Sequence, residues 1–122
     1  MVKQDYIMRL IHDMVRTVLR LVFGIDEEKE EVVFLDAKER EIYDRLIKMA
    51  DSGEINEAEN LLYEELDIED KECLKRALLF YNHLNEMDDE TLERADFSRE
   101  EIREGVENIL CKFGYDGLPD IF

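Results

Sequence analysis

Few of the 122 residues are of a kind that carries out covalent chemistry: two histidines, His12 and His83; two cysteines, Cys73 and Cys111; and two serines, Ser52 and Ser98. A serine or cysteine nucleophile needs a base within reach, usually histidine, and a third group to orient that base. Ser98 opens the pattern Ser98-Arg99-Glu100-Glu101, which reads as a helix cap, and Ser52 stands beside Gly53 at a helix end. Cys73 falls on an apolar helical stripe and Cys111 projects away from one; an exposed thiol becomes reactive only where its surroundings lower its pKa. His83 sits at the border of a stripe, the ordinary place for a partly buried, hydrogen-bonded imidazole. No catalytic residue is predicted.

The same four histidines and cysteines are isolated from one another, without the close spacing of a structural zinc site, and no stretch combines carboxylates and glycine as a calcium loop does. No metal ligand and no cofactor are expected. Adjacent acids such as Glu64-Glu65 and Asp88-Asp89 do not share a helix face, so the bland reading, a solvated surface, is preferred to acid–base work.

What must position these residues is helix. One proline, five glycines and a wealth of Glu, Leu, Lys and Arg leave little material for strands and hairpins. The chain fits one domain, and with 45% hydrophobic residues it can bury a core despite being 40% charged. No uncharged run is long enough for a signal peptide or a membrane span, and the unpaired cysteines suit a reducing compartment, so a cytoplasmic location is expected. The formal charge is −17, while Met1–Ile25 carries +2, leaving −19 on the rest. Such a body repels phosphates, and nucleic acid is not an expected partner.

Hydrophobic periodicity divides the chain into a basic amphipathic helix over 1–24, an acidic linker over 25–35, a helical array over 36–114 and a tail over 115–122. The first helix, from about Asp5 to Phe23, has an apolar face covering half its circumference, with Gly24 as its stop. Asp36 and Glu39 form a D-x-x-E capping pattern opening the second helix, and Asn56 and Glu59 open the third in the same way. A fourth helix starts near Asp67 or Asp70 and carries Cys73, Leu74, Ala77, Leu78, Phe80, Tyr81, Leu84 and Met87 as a central stripe. Asp89 to Ala95 reads as a short helical turn. The last helix follows the Ser98/Glu101 capping box, with Gly105 as a point of close backbone approach. The fold class is therefore all-α, a compact array of about five helices.

The segment Leu46 to Leu62 resembles the turn of a tetratricopeptide repeat through Gly53, Ile55, Ala58 and Leu62. In such repeats the glycine turns the chain, the small residue lets the helices approach and the larger one locks them. Arg45 and Glu65 depart from the repeat pattern, and no second copy follows at the expected spacing. Over nearly its whole length, and most clearly at Asp5–Ile11, Gly53–Leu66 and Asp96–Ile102, the chain is similar to a family of small proteins of unknown function from Gram-positive anaerobes of the Firmicutes. That resemblance implies an all-α fold and supplies no catalytic residues.

These readings point to a non-catalytic helical interaction or scaffold protein with a protein partner. Two alternatives stand beside it: a small helical hydrolase or regulator using acidic residues near His83, and peripheral membrane association through the first helix. The basic residues Arg9, Arg16 and Arg20 motivate the latter, but a body of −19 would be repelled by anionic lipid, so membrane is not the expected partner. The wide apolar face of the first helix also offers a homodimer surface, for which Ile7, Leu10, Ile11, Met14, Val18 and Leu21 are the candidates.

Overall fold

The computed structural model describes residues 2–25 and 36–115, with side chains from Asp5 onwards. Among the described residues there are six helices and no strand: α1 (Val2–Phe23), α2 (Ala37–Asp51), α3 (Ile55–Glu64), α4 (Lys71–Asn85), α5 (Asp89–Arg94) and α6 (Arg99–Lys112). The expected array is all-α as read, with the turn after Asp88 forming a short helix of its own. Most of the acidic linker and of the tail lies outside the described residues.

The central element is α4, whose capping Asp70 accepts from the Glu72 amide. Eleven of its fifteen residues are buried, and α1, α2 and α6 all pack on it. A helix surrounded this way must be apolar or satisfied on nearly every side, and α4 is both: Leu74, Ala77, Leu78, Phe80, Tyr81 and Leu84 fill the core, while its buried polar residues meet partners. Lys75, for instance, lays its ammonium against Glu72 at 2.9 Å and over the Phe23 ring.

α1 packs on α4 and α6. Its residues Ile7, Ile11, Met14, Val15, Val18 and Leu19 recur at helical spacing and are all buried, each fully buried aliphatic side chain contributing roughly 1.5–3 kcal/mol. Asn85 of α4 adds a polar tie by donating to the Met8 carbonyl at 2.9 Å. Of the six residues proposed as a dimer surface, Ile7, Ile11, Met14 and Val18 are thus consumed by the chain's own core; Leu10 is half-buried, and Leu21 alone is exposed, at 62%. The face is wide enough for two helices of the same chain, α4 and α6, to pack on it.

α2 and α3 are joined by a three-residue turn and pack on each other. Gly53 adopts φ +89°, a left-handed conformation that side chains resist, and the amides of Gly53 and Glu54 return to the carbonyls of Ala50 and Met49 to close α2. Ile55, Ala58 and Leu62 are fully buried behind that turn.

Only one of the three capping patterns is a capping box. Ser98 and Glu101 satisfy each other's amides as expected. Asp36 instead caps the Lys38 amide while Glu39 turns into the interior, and α3 begins at Ile55 with Glu54 before it, leaving Asn56 and Glu59 for tertiary bonds. Gly105 also differs from expectation: what approaches it closely is not a backbone but the Tyr81 ring, which a Cβ at this position would overlap, coming within 2.7 Å of the hydroxyl oxygen.

Candidate functional site

Ionisable groups from different helices meet at several places, and two of these differ in whether anything can enter. The first is inside. Glu39 of α2 is buried, and its carboxylate accepts from Arg76 Nη1 of α4; Arg76 is 0% exposed and also donates through Nη2 to the Glu65 carbonyl at 2.7 Å. Cys73 Sγ lies 3.8 Å from Glu39 Oε1 and 3.5 Å from Arg76 Nη2. Burial pushes the Cys73 thiol above its ordinary pKa, so it is a neutral thiol, not a thiolate nucleophile.

The ligand atoms of Glu39, Asp70 and Cys73 lie within 4.8 Å of one another, which sequence spacing did not suggest because 31 residues separate Glu39 from Asp70. The charge in their midst is already supplied by a guanidinium, and a protonated thiol is a poor metal donor. The cluster is better described as a polar staple that fastens α2 and the end of α3 to α4. A buried ion pair of this kind contributes little net stability, yet breaking it is costly.

A second buried arginine is likewise structural. Arg99 donates to the Asn85 and Met87 carbonyls at 2.7 and 2.6 Å and to Asp89 Oδ1 at 3.0 Å, placing a cation on carbonyls at the C-terminal end of α4. His83, the imidazole considered for acid–base work, bonds Asp51 Oδ1 at 2.7 Å near the surface, where it pins α4 to the end of α2. Cys111 is exposed and Cys73 buried, and both are free thiols.

The second place is open. α3 and α6 do not pack closely on each other, and between them runs a cleft of about 460 Å³. One wall is Asn56, Glu59 and Tyr63; the other is Glu101, Glu104 and Asn108; Phe97 and Gly105 complete the lining. The two walls share the spacing i, i+3, i+7, which sets three side chains in a row along one face of a helix. Tyr81 reaches from α4 across Gly105 and donates to Glu59 Oε2 at 2.6 Å. Its hydroxyl pKa is raised by burial and by the Glu59 carboxylate, which keeps it a proton donor. Asn108 donates to the Tyr63 hydroxyl at 2.9 Å, and Asn56 to the Ala95 carbonyl at 3.0 Å, so both walls are braced.

Of the residues singled out from the hairpin, Ile55, Ala58 and Leu62 form the buried face of α3 that adjoins this cleft wall. The cleft residues themselves were missed. In the sequence Asn56 and Glu59 read as a cap, and Glu101 as the partner of Ser98.

Against this geometry, a model of a family of unknown function, DUF6483, matches residues 1–114. The chain belongs to that family. The match runs through all six helices and is not confined to the α2–α3 pair. No curated protein matches the chain, and no solved structure does.

Proposed function

We propose that this member of the family is a non-catalytic helical interaction protein, acting in the cytoplasm, that receives a segment of a partner protein in the cleft between α3 and α6. The observation that supports this is the gap between two neighbouring helices, lined by polar side chains already held in place, Glu59 by Tyr81 from behind and Tyr63 by Asn108 across the gap. Side chains held by secondary contacts lose less freedom on binding, which favours recognition. The buried convergence of Glu39, Cys73 and Arg76 is closed by its own ion pair, and the imidazole of His83 is engaged by Asp51, so the ionisable groups considered for hydrolysis serve packing.

The α2–α3 pair resembles a repeat hairpin in its turn residues, and helical hairpins of that kind commonly present a groove to peptides. Membrane association through α1 is disfavoured because its apolar face is turned into the core, and no described helix is long and apolar enough to cross a membrane.

The test is site-specific photocrosslinking in the native cell. A photoreactive residue at Asn56 or Asn108 should capture the same partner, and one at Glu41 on α2 should not. Failure to capture any protein at either cleft position, or equal capture at Glu41, would overturn the proposal.

A further inference from the structure

We infer that the outer side of α1 is a docking surface of its own, and that its occupant is an acidic amphipathic helix of a partner protein. The inference is independent of the cleft between α3 and α6, to which α1 contributes no residue. α1 turns one face into the core, and its opposite side carries an apolar strip with a cationic edge.

The strip comes first. Of the three large apolar side chains exposed among the described residues, two, Tyr6 at 60% and Leu21 at 62%, stand on α1. At about 100° per residue they lie roughly 60° apart around the helix, and half-buried Leu10 falls between them. The strip runs about 22 Å along the axis, some four helical turns.

The edge is made of arginine. Arg9, Arg16 and Arg20 follow one another at helical spacing on the other side of Tyr6, and between Arg9 and Arg20 the only acid is Asp13. Asp13 lies 3.6 Å from Arg16, whereas Arg9 and Arg20 form no ion pair among the described residues. A guanidinium can take a carboxylate through two parallel hydrogen bonds, and its stem covers apolar surface. Tyrosine and arginine are also the types that protein interfaces favour over lysine and glutamate.

Charge decides the occupant. The chain beyond Ile25 carries −19, and against that background this edge complements a negative partner. A second copy presenting the same side would set arginines against arginines. A bilayer or a nucleic acid extends well past α1 and would meet the acidic remainder too. A single helix is only about 10 Å across, and charges in solution are screened beyond about 8 Å at physiological salt, so its carboxylates sense α1 and little else. Helix ridges also fit the grooves of another helix. The partner helix therefore lays an apolar stripe over Tyr6, Leu10 and Leu21, and beside it places carboxylates that reach Arg9 and Arg20, about 16 Å apart along the axis.

The probe is a synthetic helical peptide of about 20 residues, long enough to hold a helix, with a leucine stripe flanked by glutamates. A second peptide carries Gln for every Glu. Each is titrated into the full chain at about 0.15 M salt, and nitrogen-edited NMR follows the amides. The glutamate peptide should shift the Leu10, Thr17 and Leu21 amides and leave the Asn56 and Asn108 side-chain amides of the cleft unmoved. The glutamine peptide should bind about fivefold or more weakly, as should the glutamate peptide to R9Q/R20Q. Leu21→Asp should weaken binding about tenfold. The control R45Q/K48Q, which removes the same charge from exposed positions on α2, should change it by less than about twofold.

Equal weakening by the two double variants, equal binding of the two peptides, or shifts centred on Asn56 and Asn108 would overturn the inference. Three other occupants would do the same. A dimer mass in light scattering that Leu21→Asp reduces to a monomer would give the surface to a second copy. Binding to phosphatidylserine vesicles that R9Q/R20Q abolishes, with the peptide unbound, would give it to lipid. Peptide binding seen only after Glu27, Glu28, Glu30 and Glu31 are replaced by Gln would give it to the chain's own acidic run. None of these results moves the cleft crosslinks, so the two readings fail separately.

Discussion

Arg76 and Glu39, 37 residues apart in the chain, meet inside the helical array, the guanidinium on the carboxylate with both side chains out of reach of water. Neither charge lies where hydrophobic periodicity would allow it. Their mutual neutralisation is what lets α2 seat against α4.

Glu39→Met or Arg76→Met, each removing one partner, should therefore destabilise the protein by about 3–5 kcal/mol, because the remaining charge is left buried and unpaired. The double replacement Glu39→Met with Arg76→Met should recover much of that loss. Urea unfolding of the four proteins, analysed as a double-mutant cycle, checks it; additive losses would mean that the two groups are not coupled.

Gly105→Ala should cost about 1–3 kcal/mol, the usual penalty for overpacking, since the new methyl meets the Tyr81 ring. Tyr81→Leu in the same chain should relieve the overlap and make the alanine nearly neutral. Thermal melts of the single and double variants decide between steric conflict and a simple helix-propensity effect, in which alanine would instead stabilise the helix.

α1 offers a sharp contrast between neighbouring positions. Val18→Asp puts an unpaired carboxylate into the core and should unfold the monomer, while Leu21→Asp, three residues on, should leave circular dichroism and mass in solution unchanged. Had this face joined two copies, Val18→Asp would give a folded protein of half the mass, which light scattering reads directly.

At high pH the buried hydroxyl and thiol should limit stability. The pKa of Tyr81 is raised above its ordinary 10.0 and that of Cys73 above 9.0, both first of all by burial, so the unfolded chain releases these protons before the folded one does. Their stabilising contribution is complete below the unfolded values and is lost as pH rises past them. Urea midpoints should fall between about pH 9 and 11, and less steeply in Tyr81→Phe; an unchanged slope would contradict the assignment.

Asp88 works in the opposite sense at the acid end. Hydrogen bonds from the Thr91 side chain and amide hold its pKa below the ordinary 3.8. The cap's contribution is present above that value and is lost as pH falls through the lower folded one. Carboxyl titration by NMR should place Asp88 below the exposed acids, and Thr91→Ala should bring it back toward them.

The parts of the fold that were legible in sequence share one cause, apolar residues repeating at helical spacing beside a stop or a cap. That rule places Ile11, Val18, Leu62 and Leu84, and the Ser98/Glu101 cap follows from it too. Arg76 and Arg99 escaped it because periodicity assigns every charge to water, and their partners lie 37 and 10 residues away. Glu39, Asn56 and Glu59 were assigned to local capping because the same residue types serve local and distant bonds, and nothing in a short window tells which partner wins. The candidate cleft is obscured for the same reason, since five of its six wall residues satisfy bonds within the chain.

The order of the helices along the chain bears on how the protein is made. α4 is the element that α1 and α2 pack against, yet it is synthesised after both, and α6 later still. While translation proceeds from the N-terminus, Ile11, Met14 and Val18 therefore have no permanent cover until residues past Asn85 have left the ribosome. During that interval the nascent chain exposes the apolar face of α1, and the acidic residues that crowd the sequence between α1 and α4 surround it with like charge, which disfavours association.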